Sequence, residues 1–311
     1  MKVVSMISHK GGAGKTTFAL MLAKIHAMKG KKVCAIDLDF IGSGFEHILN
    51  ITPPKKYLDE SVVCSSDPSK GPSLEELKTS YKDEELKGNK IDLILNLGGM
   101  EGGNNCNSEK EKKGENHILA TALVGREPGQ SIIRRSIERL LGDLEKDKYD
   151  IVFLDCHPGL AYLAKSVMEL SKEKKNDYYI LFLTTVNRAH FFGLLRELTY
   201  LNSTIGGESF QPERSVLCVN RATEKIGFHW RDMKDLIDKN KHTLPTGAGA
   251  TIGTYENICG SSLNYLVMME KKEVLENANI GGAAKIIIPG RNDISFSSTD
   301  ICRFIFSGGG R

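Results

Sequence analysis

His9-Lys10-Gly11-Gly12-Ala13-Gly14-Lys15-Thr16-Thr17 is the stretch on which the reading of this chain turns. A short apolar run, Val3-Val4-Ser5-Met6-Ile7, precedes it. A helical pattern follows from Thr16 to Lys29, with Phe18, Leu22, Ile25 and Met28 at helix spacing and Gly30 at the stop. A glycine-rich turn between a strand and a helix is the frame of a phosphate-binding loop. Gly11, Gly12 and Gly14 let the backbone curl and aim its N–H groups at an anion, and the helix presents its positive N-terminus to the same anion. Lys15 is placed to reach the β- and γ-phosphates, and the Thr16 hydroxyl to ligate Mg²⁺. The ordinary loop begins with glycine where His9 stands, so this is a deviant form with an extra lysine, Lys10, at its start. The bland alternative is a glycine-rich turn that binds nothing, and the strand before and helix after weigh against it.

The rest of the chain repeats the strand–helix alternation. Val33–Ile36, Ile91–Leu95, Ile151–Leu154, Tyr178–Leu183, Ser215–Val219 and Lys285–Ile288 read as strands. Ser131–Lys146 is an amphipathic helix through Ile132, Ile133, Ile137, Leu140, Leu141 and Leu144, and Leu160–Leu170 and His190–Leu201 are helical. Several strands are continuously apolar, the pattern of parallel strands covered on both faces. The expected fold is α/β: a doubly wound, mostly parallel sheet flanked by helices, of P-loop NTPase type, in a single domain over residues 1–311. Residues 97–117 are rich in Gly, Asn and charge and read as a mobile loop within that domain. Residues 245–262, rich in Gly and Thr, read as a loop or a partner-contacting insertion.

Carboxylates close two of the strands. Asp37-Leu38-Asp39 ends the second, with helix capping before Phe45 as the plain alternative for Asp39. Tyr149-Asp150-Ile-Val-Phe-Leu-Asp155-Cys156-His157-Pro158-Gly159 is a Walker B pattern, in which a buried strand fixes Asp155 where it can hold the Mg²⁺ shell. His157 reads either as a base or phosphate sensor or as an incidental neighbour, and Cys156 as a small packing residue. Asn220 ends a late strand, where an amide can pair with an adenine edge or simply form a turn, and Asn187 competes with it.

These motifs together resemble the ParA/MinD family of deviant Walker A ATPases, the SIMIBI class. The resemblance implies ATP and Mg²⁺ as cofactors and an ATP-dependent sandwich homodimer. It implies phosphate contacts from Gly11, Gly12, Ala13, Gly14, Lys15, Thr16 and Thr17, with Asn220 toward the base. Lys10 would reach across the dimer to the partner's nucleotide, and Asp39 would position the attacking water. Lys10, Lys15 and Asp39 are thus the candidate catalytic residues, and Thr16, Asp39 and Asp155 the candidate Mg²⁺ residues, with Asp37 supporting the loop or the Mg²⁺ shell. The family commonly continues its first switch with Pro-Gln, where this chain has Phe40-Ile41-Gly42-Ser43-Gly44. Ile288-Pro289 resembles the segment before the family's last helix.

The implied function is a slowly hydrolysing switch that partitions or positions a cargo, DNA or a protein complex, with a small activator or adaptor as further partner. Non-specific DNA stays open as a partner, through a patch such as Lys234, Lys239, Lys241 and Lys271-Lys272. The alternatives are a metabolic ligase of the dethiobiotin-synthetase type, with 245–262 lining its pocket, and an ATP-gated adaptor. The tyrosine cluster of the autokinases and the paired cysteines of the cluster-carrying relatives are both missing from the sequence.

Composition narrows this further. The chain has 311 residues and a formal net charge of +3, so any nucleic-acid contact must come from a focused patch rather than bulk charge. Hydrophobic residues make up 40% of the chain, enough for a sizeable core. The 7 cysteines are odd in number and lie 30 or more residues apart, as expected of reduced thiols in a cytoplasm. No apolar run approaches the ~18 residues of a membrane span, and the end, Ile301-Cys302-Arg303-Phe304-Ile305-Phe306, is a poor match to a basic membrane-docking helix. A cytoplasmic protein without membrane docking is expected, with the Ser-Gly-Gly-Gly-Arg ending read as a frayed tail.

Overall fold

The structure, a computed structural model, describes residues 1–42, 44–49, 51–64, 71–97, 120, 127–159, 166–167, 169–170, 177–185, 187, 189–194, 197, 215–222 and 266–270. The elements in chain order are β1 (Lys2–Ile7), α1 (Lys15–Met28), β2 (Val33–Leu38), α2 (Phe45–Ile48), α3 (Leu58–Val63), α4 (Leu74–Leu77), β3 (Lys78–Tyr81) and β4 (Ile91–Ile94). They continue with α5 (Glu127–Lys146), β5 (Ile151–Cys156), β6 (Tyr178–Thr185), β7 (Ser215–Ala222) and β8 (Leu266–Glu270).

The eight strands form one sheet in the order β3-β4-β2-β5-β1-β6-β7-β8. All neighbours run parallel except β3 against β4. This is the mostly parallel, doubly wound arrangement that the continuous apolar runs predict. β2, β5 and β6 are buried at every position, so both faces of the central sheet are covered. The strand order reverses direction around β1, and its carboxyl end is where such sheets bind ligands.

α1 differs from its reading. Its residues from Phe18 to Leu22 are buried one after another, together with Ala23, Lys24, His26 and Ala27. A helix apolar on nearly every side needs no stripe, because it lies under the sheet and is covered all round. Met28, spaced as part of a stripe, is 46% exposed in the last turn. α5 keeps its predicted face, with Ile133, Ile137, Leu140, Leu141 and Leu144 buried, but begins at Glu127 instead of Ser131 because Pro128 is tolerated in a first turn.

β3 and β8 have no counterpart in the sequence reading. β3, Lys-Thr-Ser-Tyr, is a four-residue edge strand with one apolar-facing residue, too short and polar to show a period. The expected strand at Lys285–Ile288, the loop at 97–117 beyond Leu97, the stretch 245–262, Ile288-Pro289, the lysines at 234, 239, 241, 271 and 272 and the C-terminal segment lie outside the described residues. Among the described residues Cys34, Cys64 and Cys156 are free thiols, and no helix is long and apolar enough to cross a membrane.

Candidate functional site

The loop between β1 and α1 has the predicted form. Gly14 caps α1 at φ 91° and Gly12 stands at φ 77°, conformations that side chains rarely adopt, so the glycines are required by the turn. Lys15 is buried, and its Nζ donates to Ser8 Oγ at 2.9 Å, while the Ser8 hydroxyl donates to the Lys10 carbonyl at 2.9 Å. Lys10 itself is exposed. His9, in the place of the ordinary first glycine, brings its Nδ1 to 2.7 Å from Glu197 Oε1.

β2 and β5 are neighbours, in a register that sets Asp37 beside Asp155 and Leu38 beside Cys156. Residues two apart on a strand share a face. The next pair beyond the ladder is therefore Asp39 and His157, and His157 Nδ1 lies 2.5 Å from Asp39 Oδ1. Four chemistry-bearing side chains thus stand in two adjacent rows at the carboxyl end of the sheet.

The three carboxylates have different surroundings. Asp37 is buried and takes three backbone donors: Asp39 N–H on Oδ1 at 3.0 Å, and Gly44 and Phe45 N–H on Oδ2 at 3.0 and 3.2 Å. The capping of the helix before Phe45, weighed for Asp39 in the sequence, thus falls to Asp37. Burial and the Asp155 charge push the Asp37 carboxyl well above the usual range, against the pull of those backbone donors. Burial alone would raise Asp39 too, but the His157 and Gly42 hydrogen bonds and the His157 and Lys15 charges hold it below the ordinary value. Asp155 is 1% exposed, and neither of its oxygens has a hydrogen-bond partner. Burial pushes it up to about 6, although the Lys15 charge and the neighbouring Thr16 hydroxyl pull it down.

A buried carboxylate with two unsatisfied oxygens fits a cation shell. Among the described residues no three His, Cys, Asp or Glu side chains converge into an all-protein cage. Mg²⁺ is commonly held by one or two protein oxygens together with phosphates and waters. Thr16 and Asp155 are the residues that fit this role, and Asp39 Oδ1 is already engaged by His157, Ile41 N–H and Gly42 N–H. Gly44 lies against the first turn of α1, so closely that a Cβ there would sit 2.9 Å from Thr16 Cγ2.

Asn96, missed in the sequence, holds that loop from the other side. It is buried just past β4, and its Nδ2 donates to the Asp39 carbonyl at 2.7 Å and to the Asp37 carbonyl at 3.5 Å. The signal was present, since Asn96 follows an apolar strand at the same end of the sheet as Asp39 and Asp155. Ser8 was missed for a plainer reason: a serine before a glycine run has no distinguishing pattern. Asn220 lies in β7 opposite Thr185, inside the strand instead of at its end, next to an irregularity in the β7–β8 ladder between Val219 and Ala222. Asn187 accepts the Ala189 N–H at 2.8 Å, as a residue opening a helical turn does.

Residues 4–260 match the model of the CobQ/CobB/MinD/ParA nucleotide binding domain. A protein named replication protein A from Rhizobium rhizogenes is 31% identical over 177 residues, covering 54% of this chain. The chain spans only 37% of that relative's length. The crystal structure of a plasmid partition protein from Borrelia burgdorferi B31, bound to AMPPNP, is similar at a TM-score of 0.59 and 16% identity, covering 98% of each chain. The septum site-determining protein MinD from Pyrococcus horikoshii OT3, complexed with Mg-ADP, is similar at a TM-score of 0.52 and 19% identity, covering 98% of this chain and 93% of the other.

Proposed function

The chain belongs to the CobQ/CobB/MinD/ParA nucleotide-binding family, and from that premise we propose that it is an ATP-driven molecular switch. It binds ATP with Mg²⁺, closes into a sandwich homodimer and reopens after slow hydrolysis. Its task is the partitioning or positioning of a cargo, which is DNA or a protein complex. One observation carries this reading: two lysines of a single loop part ways, Lys15 buried on Ser8 and Lys10 exposed at the rim. A loop that needed only its own lysine has no use for a second cation held in solvent. A loop shared with a facing copy does, because Lys10 then neutralises charge on the partner's nucleotide.

The residues divide the work as follows. Gly11 to Thr17 supply backbone N–H groups and the Lys15 charge to the phosphates. Thr16 and Asp155 would hold Mg²⁺, which would supply neutralisation of the charge that develops on the phosphates. Asp39 orients the attacking water. Asp37 and Asn96 hold the loop that carries Asp39. Phosphoryl transfer rests on positioning and charge neutralisation, and no strong base is required.

The similar proteins support the cargo reading, one being a plasmid partition protein and another a septum site-determining protein. The test is mass in solution with ATP and with ADP. The wild type is expected to dimerise with ATP and separate after turnover. Asp39→Ala is expected to remain an ATP dimer and Lys15→Ala to remain monomeric. A monomer under every condition overturns the reading. A gel shift with unrelated duplex DNA, with and without ATP, then separates a DNA cargo from a protein one.

A further inference from the structure

We propose that His157 is a positioning residue for hydrolysis: it clamps one oxygen of Asp39 so that the other faces the attacking water. The inference rests on the switch reading and adds to it a specific link between the segment after β5 and the loop after β2.

The clamp is fixed on the His157 side. His157 lies between β5, which ends at Cys156, and Gly159, whose N–H donates to the Ser8 carbonyl at 2.9 Å. Pro158 packs toward the phosphate loop, its Cγ 4.0 Å from where a Cβ at Gly11 would stand. The backbone at His157 is thus tied to the sheet on one side and to the start of the phosphate loop on the other.

It is also fixed on the Asp39 side. Every hydrogen bond given to the Asp39 carboxylate among the described residues goes to Oδ1: His157 at 2.5 Å, Gly42 N–H at 3.0 Å and Ile41 N–H at 3.3 Å. Three donors on one oxygen fix the plane of the carboxylate and leave Oδ2 as the acceptor. An ionised carboxylate can only accept, so the proton of the short contact sits on His157 Nδ1. Both side chains remain about one-fifth to one-quarter exposed, at 24% and 21%, so the pair is not sealed in the core. Remove the imidazole, and Asp39 keeps its charge but loses its shortest contact. Misplacing a reacting group by about 1 Å costs up to about a hundredfold in rate.

The experiment compares His157→Ala and His157→Asn with wild type and Asp39→Ala, measuring kcat, KM for MgATP and the affinity for a fluorescent ATP analogue. The asparagine Nδ2 reproduces the donor at the Nδ1 position. His157→Ala is expected to lower kcat by about 10- to 100-fold, with KM and analogue affinity within about twofold of wild type, and His157→Asn to recover most of the loss. Unchanged analogue affinity also shows that the variants are folded. If His157→Ala turns over at the wild-type rate, or His157→Asn is as slow as His157→Ala, the inference is overturned while the switch reading stands. If wild type neither binds the analogue nor turns over, the switch reading falls and takes this inference with it.

Discussion

At the amino end of the sheet, Asp92 of β4 accepts from the Ser80 hydroxyl at 2.6 Å and the Tyr149 hydroxyl at 2.6 Å, and pairs with Lys90 at 2.8 Å. At the carboxyl end, Asp155 of β5 is as deeply buried, and its oxygens have no hydrogen-bond partner beyond the neighbouring Thr16 hydroxyl. Burial raises both carboxyls by itself, but the three partners pull Asp92 below the ordinary range, while Asp155 stays up at about 6. Asp83 repeats the amino-end pattern. Its carboxylate takes the buried Lys24 amine at 2.6 Å, the Tyr81 hydroxyl at 2.8 Å and the Leu86 N–H at 3.1 Å, and it too is held down against the burial that would raise it. A buried charge that is fully matched from within the chain is scaffold. One left largely unmatched marks where charge from outside fits, and the contrast points to the proposed cation site without reference to any motif.

The contrast is easiest to break at Lys24. This amine is 1% exposed and serves both Asp83 and Glu85. Lys24→Met leaves Asp83 buried without its cation, which should cost about 3–5 kcal/mol in urea unfolding, with nucleotide affinity of the folded protein unchanged. A loss below about 1 kcal/mol would mean that the pair is no more than a surface contact.

Asp155→Asn should go the other way. The folded value of about 6 lies above the ordinary value of 3.8, so ionised Asp155 costs the nucleotide-free fold about 3 kcal/mol at pH 8. The sign follows: the cost is full above pH 6, shrinks as the pH falls, and vanishes below about 4. Unfolding followed against pH should therefore show the Asn variant gaining on wild type from pH 4 to pH 8. The same variant should lose the extra stability that MgATP confers. Parallel pH curves for the two proteins would break the comparison.

His26 sharpens it with a smaller effect. It is buried in α1, stacked on Phe153 at 5.7 Å, and held down to about 3, by burial first and then by Lys29, Lys31 and Lys2. The unfolded chain takes up a proton near pH 6.5 that the folded chain refuses until about 3, so stability falls as pH drops through that window. Between pH 7 and pH 5 this removes about 2 kcal/mol. His26→Leu should flatten the acid limb of the thermal unfolding curve over that range, and an unchanged slope would assign the acid sensitivity elsewhere.

How much of this was legible beforehand depends on whether a residue speaks through its neighbours in sequence or across the sheet. The phosphate loop, α1 and the strands that carry Asp37 and Asp155 could be read because turn glycines, helix spacing and apolar runs are local. Asp155 could be placed at a strand end, but not its lack of partners, which depends on everything packed around it. The Asp39–His157 contact could not be seen at all, because it requires the β2–β5 register. Nothing in the sequence says that the second and fifth strands are neighbours. Asp37 and Asp39, two residues apart and chemically identical, exchanged the capping role for the same reason: the path of the loop through Gly44 decides which carboxylate faces Phe45.

The strand order has a consequence for how this protein is born. β1 and β2 never touch; β5 lies between them, and it begins at Ile151, more than a hundred residues after β2 ends at Leu38. A ribosome adding roughly 5–20 residues per second leaves the two strands without their shared neighbour for several seconds. During that wait the glycine loop is already made, but the aspartate and histidine that face it are not yet synthesised. Nucleotide capture is therefore a late event in biogenesis. A nascent chain released before Ile151 carries the complete motif together with Asp37 and Asp39, but neither Asp155 nor His157.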